Sequence, residues 1–334
     1  MSKEQSTIIK GVAILLMIFL HLFNHDITSD CSPLLFIGST PFVTILTRAC
    51  GPVPFFLIVS GYGLHYTYHH KGLTWNGQIH RILKLFITYW LVLAIFVSIG
   101  CFLRPDKYPG TPLNAFLNIT SWSSSYNSPA WFLFPYTILT LFAVYIFKLI
   151  DKLGNIKSFI LFCIIGFIAM YITSRYIAVY KIHDSIFAHI VTIANLSFSF
   201  AFGAILHRIA EKRSLTIEQK KSHQIIPVFC LIFLITIKCF IKISIFDTFY
   251  ALFFILVFIQ FNFNSTINKL LLKLGKYSMP MWLLHYFIYE IFFHDFIYGF
   301  KYPFIIFVVL VIISYALAIP FNLTSKWIIE RAKL

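Results

Sequence analysis

Lys10 and His21 are a cation and an imidazole set eleven residues apart in the apolar run KGVAILLMIFLH. On a helix, eleven residues turn the chain through about three turns, so both side chains share one face, separated by a rise of about 16.5 Å. If Lys10 marks one boundary of a bilayer, His21 lies near its midplane, where an ionisable ring is costly unless it is paired or lines a wet cavity. A snorkelling lysine and a histidine bonded across helices fit the same spacing. A second histidine at similar depth, His285, follows Lys276 by nine residues, a rise of about 13.5 Å. It suits either an interhelical hydrogen bond or the steadying of negative charge in a transition state. Glu290, five residues on, falls about 140° around an ideal helix from His285 and reads as structural.

These residues need elements to carry them. In 334 residues, 59% are hydrophobic, 19% aromatic and 12% charged, more apolar surface than one soluble core can hide. The sequence predicts an all-α integral membrane protein, a single bundle of about ten transmembrane helices formed by residues 1–334 as one domain. Apolar runs fall near 8–25, 42–66, 82–102, 130–150, 157–178, 188–209, 224–242, 245–262, 277–296 and 303–328. The second is broken by Gly51-Pro52-Val53-Pro54 and fits a kinked helix, or a short interfacial piece followed by a shorter span. No cleavable leader is apparent in the first run.

The net charge of +15 does not require nucleic acid, because the cations alternate along the chain. With a cytoplasmic N-terminus, 19 of the 27 Lys and Arg residues fall on the inner side, which predicts that both termini are cytoplasmic and places the protein in a cell membrane. The six cysteines show no metal spacing; Cys31, Cys50 and Cys101 approach the outer face, and unpaired buried thiols are expected. His25 stands four residues after His21, but no further ligand set supports a metal, and none is expected. Ser60 and Gly61 read as a small pair for close helix packing rather than as a nucleophile. His65, His69 and His70 lie near the inner surface with no chemistry assigned.

Several segments match one family in order. The Lys10 to His21 spacing resembles the first-helix signature of the membrane-bound acyltransferase type 3 family. So do PFFLIVSGYGL from Pro54, HRILKLFITYW from His80, AWFLFPYTILTLF from Ala130 and LGKYSMPMWLLHYFI from Leu274 resemble its later motifs. His80 and Lys84 stand where the family often carries arginine, so the third motif keeps one guanidinium, Arg81, and Lys84 lacks the bidentate fork.

The resemblance implies transfer of an acyl group, commonly acetyl, from cytoplasmic acetyl-CoA to a hydroxyl of a cell-envelope glycan or its lipid-linked precursor. Lys10, Arg81 and Lys84 would then take the coenzyme A phosphates, and His21 would act as general base beside His285. Between 103 and 129 lies the longest outer connection. Near its end, Trp122, Tyr126 and Asn127, with Trp131 just beyond, are groups that stack on and hydrogen-bond to sugars, and are also common at membrane interfaces. The alternative is a proton-coupled transporter using Lys10, His21, His285 and Glu290. No oligomeric state follows from the sequence.

Overall fold

The computed structural model describes residues 1–212, 225–261 and 263–334. The basic stretch from Arg213 to Lys221 and the ends of two expected spans, at 224 and 262, lie outside them.

The described residues are helical almost throughout, with one small hairpin among them: Phe36–Ile37 pairs antiparallel with Thr40–Pro41, Phe36 opposite Pro41. The helices that matter to the site are α1 (Lys3–Phe23), α2 (Val53–Lys71), α3 (Trp75–Leu103), α4 (Leu133–Leu141), α5 (Ala143–Ile172), α6 (Ile186–Lys212), α7 (Ile225–Phe240), α8 (Asp247–Phe258), α9 (Ser265–Tyr286) and α10 (Pro303–Arg331). Local chemistry sets their ends. Ser2 and Gln5 form a capping box at α1, Thr74 caps α3, and Asn264 caps α9, each side-chain oxygen satisfying an N–H that has no partner inside the helix. α2 stops at Gly72, whose φ of 73° turns the chain.

Among the described residues, six helical stretches are long and apolar enough to cross a bilayer: Lys3–Phe23, Phe42–Lys71, Trp75–Leu103, Ala143–Tyr180, Ile186–Lys212 and Pro303–Arg331. The six stretches are fewer than the ten runs read from sequence for identifiable reasons. Ala143–Tyr180 counts as one stretch but holds two helices joined at Gly154, whose φ of 77° and ψ of 175° are not helical. Runs 130–150 and 157–178 therefore keep their division: α4 with the first part of α5 carries one, and the second part of α5 carries the other. α7 and α8 have 16 and 12 residues, short of the roughly 20 that span hydrocarbon. α9 carries Lys269, Lys273 and Lys276 before its apolar part begins, so that part is brief. The second run resolves into a short piece, Phe42–Leu46, followed by α2. All six cysteines are free.

Two pairs of parallel helices make the centre. α1 packs on α9 so closely that a Cβ on Gly11 would lie 2.2 Å from the Leu271 carbonyl oxygen, and one on Gly275 would lie 1.8 Å from that of Thr7. α2 packs on α6 in the same way: a Cβ on Gly61 would meet the Phe200 carbonyl oxygen at 2.0 Å, and one on Gly203 that of Ile58 at 2.0 Å. Where lipid is as apolar as leucine, close backbone approach of this kind holds helices together. Around the pairs, fully buried Phe147, Phe198, Phe200 and Phe287 fill the interior. The periphery is inverted relative to a soluble protein, with Phe229 and Phe233 of α7 and Phe304 of α10 turned outward. The Tyr298 hydroxyl donates to the Leu22 carbonyl and the Ser32 N–H to that of Lys301, so α10 starts where α1 ends and returns, bringing both termini to one end of the bundle.

Candidate active site

α1 and α9 carry His21 and His285, and the glycine contact fixes their register. Gly11 and Gly275 face each other, and His21 and His285 each stand ten residues further on. The histidines meet: His21 Nδ1 lies 2.7 Å from His285 Nε2, with the rings stacked, 5.0 Å between centroids and 3° between planes. His285 is wholly buried, and its Nδ1 lies 2.7 Å from the Trp282 carbonyl oxygen.

The partners dictate the tautomer. A carbonyl oxygen only accepts, so His285 Nδ1 must carry the hydrogen. In the uncharged pair His285 Nε2 is then an acceptor, and His21 Nδ1 must donate to it. The proton-free nitrogen is therefore His21 Nε2, which has no partner among the described residues. Beyond His285, α9 passes into a wide π turn, Phe287–Phe292, a feature that often marks functional sites. That turn leaves Glu290 exposed and facing Lys107, away from the place an ideal helix gives it. Burial pulls the Lys107 ammonium below its usual value, repulsion from Arg104 adds to this, and Glu290 acts against it.

Two neighbouring cavities lead toward the pair. A mouth of about 800 Å³ is lined by Lys3, Lys10, Tyr62, Tyr66 and Arg81, with Ser60 and Tyr136 at its back. Lys10, Ser60 and Tyr136 also line a deeper cavity of about 210 Å³ that reaches Met17, Phe132, Ser278 and Trp282. Met17 precedes His21 by one helical turn and Trp282 precedes His285 by nearly one, so the cavity ends about 5 Å of helix rise short of the dyad. At the mouth Lys10 is close enough to Arg81 for their charges to repel. Among the described residues no carboxylate is within ion-pair distance of either. Two unneutralised cations converging on one cavity suit an anionic ligand.

The other expected residues are distributed unevenly. Lys84 is exposed and lines neither cavity. Asn127 is buried against the dyad helix: its Nδ2 donates to the Leu283 carbonyl at 2.8 Å, and its Oδ1 has no partner. Tyr126 is buried with its hydroxyl bonded to the Pro109 carbonyl, and Trp122 donates Nε1 to the Asp184 carbonyl at 2.9 Å while packing on His189. Trp131 is 43% exposed and lines neither cavity, whereas its neighbour Phe132 lines the deeper one and packs on Trp282. Sequence reasoning missed the hydroxyl pair Ser60 and Tyr136, 2.9 Å apart where the cavities join. Ser60 differs from Gly61 only by facing the cavity instead of α6, a distinction that needs the helix's rotation and not its composition.

The sequence matches the Acyltransferase domain of the acyltransferase 3 family over residues 5–323. The chain belongs to that family. Almost all of this acyltransferase lies within the match, including both histidines, the deeper cavity, and Lys10 and Arg81 at the mouth. No match was found among curated proteins or solved structures.

Proposed function

We propose that this membrane acyltransferase moves an acetyl group from acetyl-CoA, bound from the cytoplasmic side, to a hydroxyl of a cell-envelope glycan or a lipid-linked glycan precursor, with both termini cytoplasmic. The observation that carries the reading is the His21–His285 dyad, whose partners leave His21 Nε2 as a base one turn beyond a cavity with a cationic mouth.

The steps balance simply. Lys10 and Arg81 hold the coenzyme A phosphates at the mouth, and the pantetheine arm enters the deeper cavity past Ser60 and Tyr136, bringing the thioester to the dyad. His21 Nε2 takes the proton of the acceptor hydroxyl as its oxygen attacks the thioester carbonyl. The imidazolium so formed keeps its Nδ1–H directed at His285 Nε2, which is held in place by the Trp282 carbonyl. The tetrahedral oxyanion collapses, the carbon–sulfur bond breaks, and His21 returns the proton to the departing thiolate, giving the ester and free coenzyme A. On this reading His285 positions and polarises His21. On the same reading Asn127, whose buried Oδ1 lacks a partner beside the dyad helix, accepts a hydrogen bond from the acceptor.

Membership of an acyltransferase family argues against the transporter alternative. Purified protein in vesicles given radiolabelled acetyl-CoA and a hydroxylated glycan acceptor tests the proposal: label should enter the glycan as a base-labile ester, with release of one coenzyme A thiol per ester. Movement of solute or protons across the vesicle without ester formation would refute it.

A further inference from the structure

Where the mouth of the cavity is backed by Tyr62 and Tyr66, a second group of histidines gathers behind those rings. We propose that His65, His69 and Asp151 form a site for a first-row divalent transition metal of the zinc type, with His207 holding the His65 ring in its ligating orientation. The sequence gives no such expectation, because Asp151 lies 82 positions beyond His69 and joins it only through the packing of α5 on α2.

Three observations point to an ion. His65 and His69 are one helical turn apart on α2, so their rings stand on one face, 4.6 Å between centroids, the i, i+4 arrangement in which two imidazoles bind zinc. Asp151 completes the set from α5, and one ligand atom from each residue lies within 4.8 Å of the others. His69 Nε2 is 3.7 Å from Asp151 Oδ1, too long for a hydrogen bond and within a few tenths of an ångström of the roughly 3.3 Å that bonds of 2.0–2.1 Å in tetrahedral geometry set between ligand atoms, so a bound ion would draw the two together slightly.

The second observation is an unsatisfied nitrogen. His65 is fully buried, and its Nε2 has no partner. A lone pair left without a partner in such a place is unfavourable unless something electrophilic uses it. The third is outer-shell support: His65 Nδ1 lies 2.9 Å from His207 Nδ1. A ligating histidine characteristically directs its other ring nitrogen into a hydrogen bond that fixes its tautomer, and His65 Nδ1–H donating to His207 leaves Nε2 as the ligand. Arg208 Nη1, 3.5 Å from Asp151 Oδ1, helps to fix the carboxylate in place.

Two imidazoles and one carboxylate without thiolate suit zinc, cobalt(II) or nickel(II) better than copper(I) or calcium, and leave a fourth position for water. His69 and Asp151 are 35% and 31% exposed, which supplies a path from solvent. A bound ion would tie α2 to the end of the first half of α5, just before the Gly154 kink, and so brace the wall of the mouth. A neighbouring set, His70, His207 and Glu211, is the competing assignment. In it His207 would bind the ion directly rather than hold His65.

The test uses the full chain, purified in detergent with any affinity tag removed, stripped with chelator, given zinc chloride and desalted. Mass spectrometry of the metal should return one zinc per chain, and cobalt(II) in its place should give the intense visible bands of tetrahedral coordination. His69→Ala and Asp151→Asn, both at half-exposed positions and checked for an unchanged size-exclusion profile, should each weaken zinc binding about tenfold or more, while His70→Ala keeps one equivalent. A wild-type chain that retains no zinc and gives no visible cobalt bands overturns the site. Loss of zinc in His70→Ala with retention in His69→Ala overturns the ligand assignment.

Discussion

The α1–α9 and α2–α6 pairs are built alike. Each joins two parallel helices through facing glycines, Gly11 with Gly275 and Gly61 with Gly203, and each brings together two histidines at equal distances beyond those glycines. The outcome differs with the surroundings. In α1–α9, His21 and His285 lie with their rings parallel, the inner ring is tied to a backbone carbonyl, and among the described residues no carboxylate lies within ion-pair distance of either. One nitrogen is left to act, and in the proposed reaction it acts on protons. In α2–α6, His65 and His207 are tilted by 56°, and His69, His70, Asp151 and Glu211 crowd around them. That abundance of donors suits a cation. The glycine contact sets the meeting of two rings; the residues one turn away decide what the meeting is for.

The largest effect should come from breaking either contact. Gly275→Val and Gly203→Val drive a side chain into a backbone carbonyl and should each cost more than about 3 kcal/mol, read as loss of the monodisperse peak in detergent; a stable Gly275→Val protein with full transfer activity would show that α1 and α9 need not touch. Next, His285→Ala should leave the fold in place while lowering the transfer rate about a hundredfold, because His21 loses the acceptor that orients its ring. An unchanged rate would make His285 part of the packing alone.

Smaller still, Lys10→Gln and Arg81→Gln should each raise the KM for acetyl-CoA about tenfold with little change in kcat, the loss of one charge-assisted contact. The same substitutions should have less effect when the donor is a short acetyl thioester without phosphates. The smallest effect expected is at Asn127: Asn127→Ala should raise the KM for the acceptor severalfold and leave that for acetyl-CoA alone, about the worth of one hydrogen bond.

The helical membrane class was legible because a run of about 20 apolar residues matches the thickness of hydrocarbon and is hard to bury in a soluble fold. The number of crossings was less plain, since it turns on how far the short helices α7 and α8 reach and on Lys269, Lys273 and Lys276, which make α9 look polar where it begins. His21 could be singled out from its spacing to Lys10, and His285 from its depth. That the two share a 2.7 Å contact depends on α1 and α9 being neighbours although their histidines are 264 positions apart, which no local pattern records. At Trp131 and Phe132 composition does not say which neighbour faces the cavity: rotation about the helix turns Trp131 outward while Phe132 turns in.

The central claim is that His21 Nε2 removes the acceptor proton. Its most direct test is the single-turnover rate of acetyl transfer by His21→Ala, measured with saturating acetyl-CoA and glycan on protein whose thermal unfolding matches wild type. A fall of about 10²- to 10⁴-fold, with acetyl-CoA binding retained, is the expected result. Transfer at the wild-type rate would contradict it.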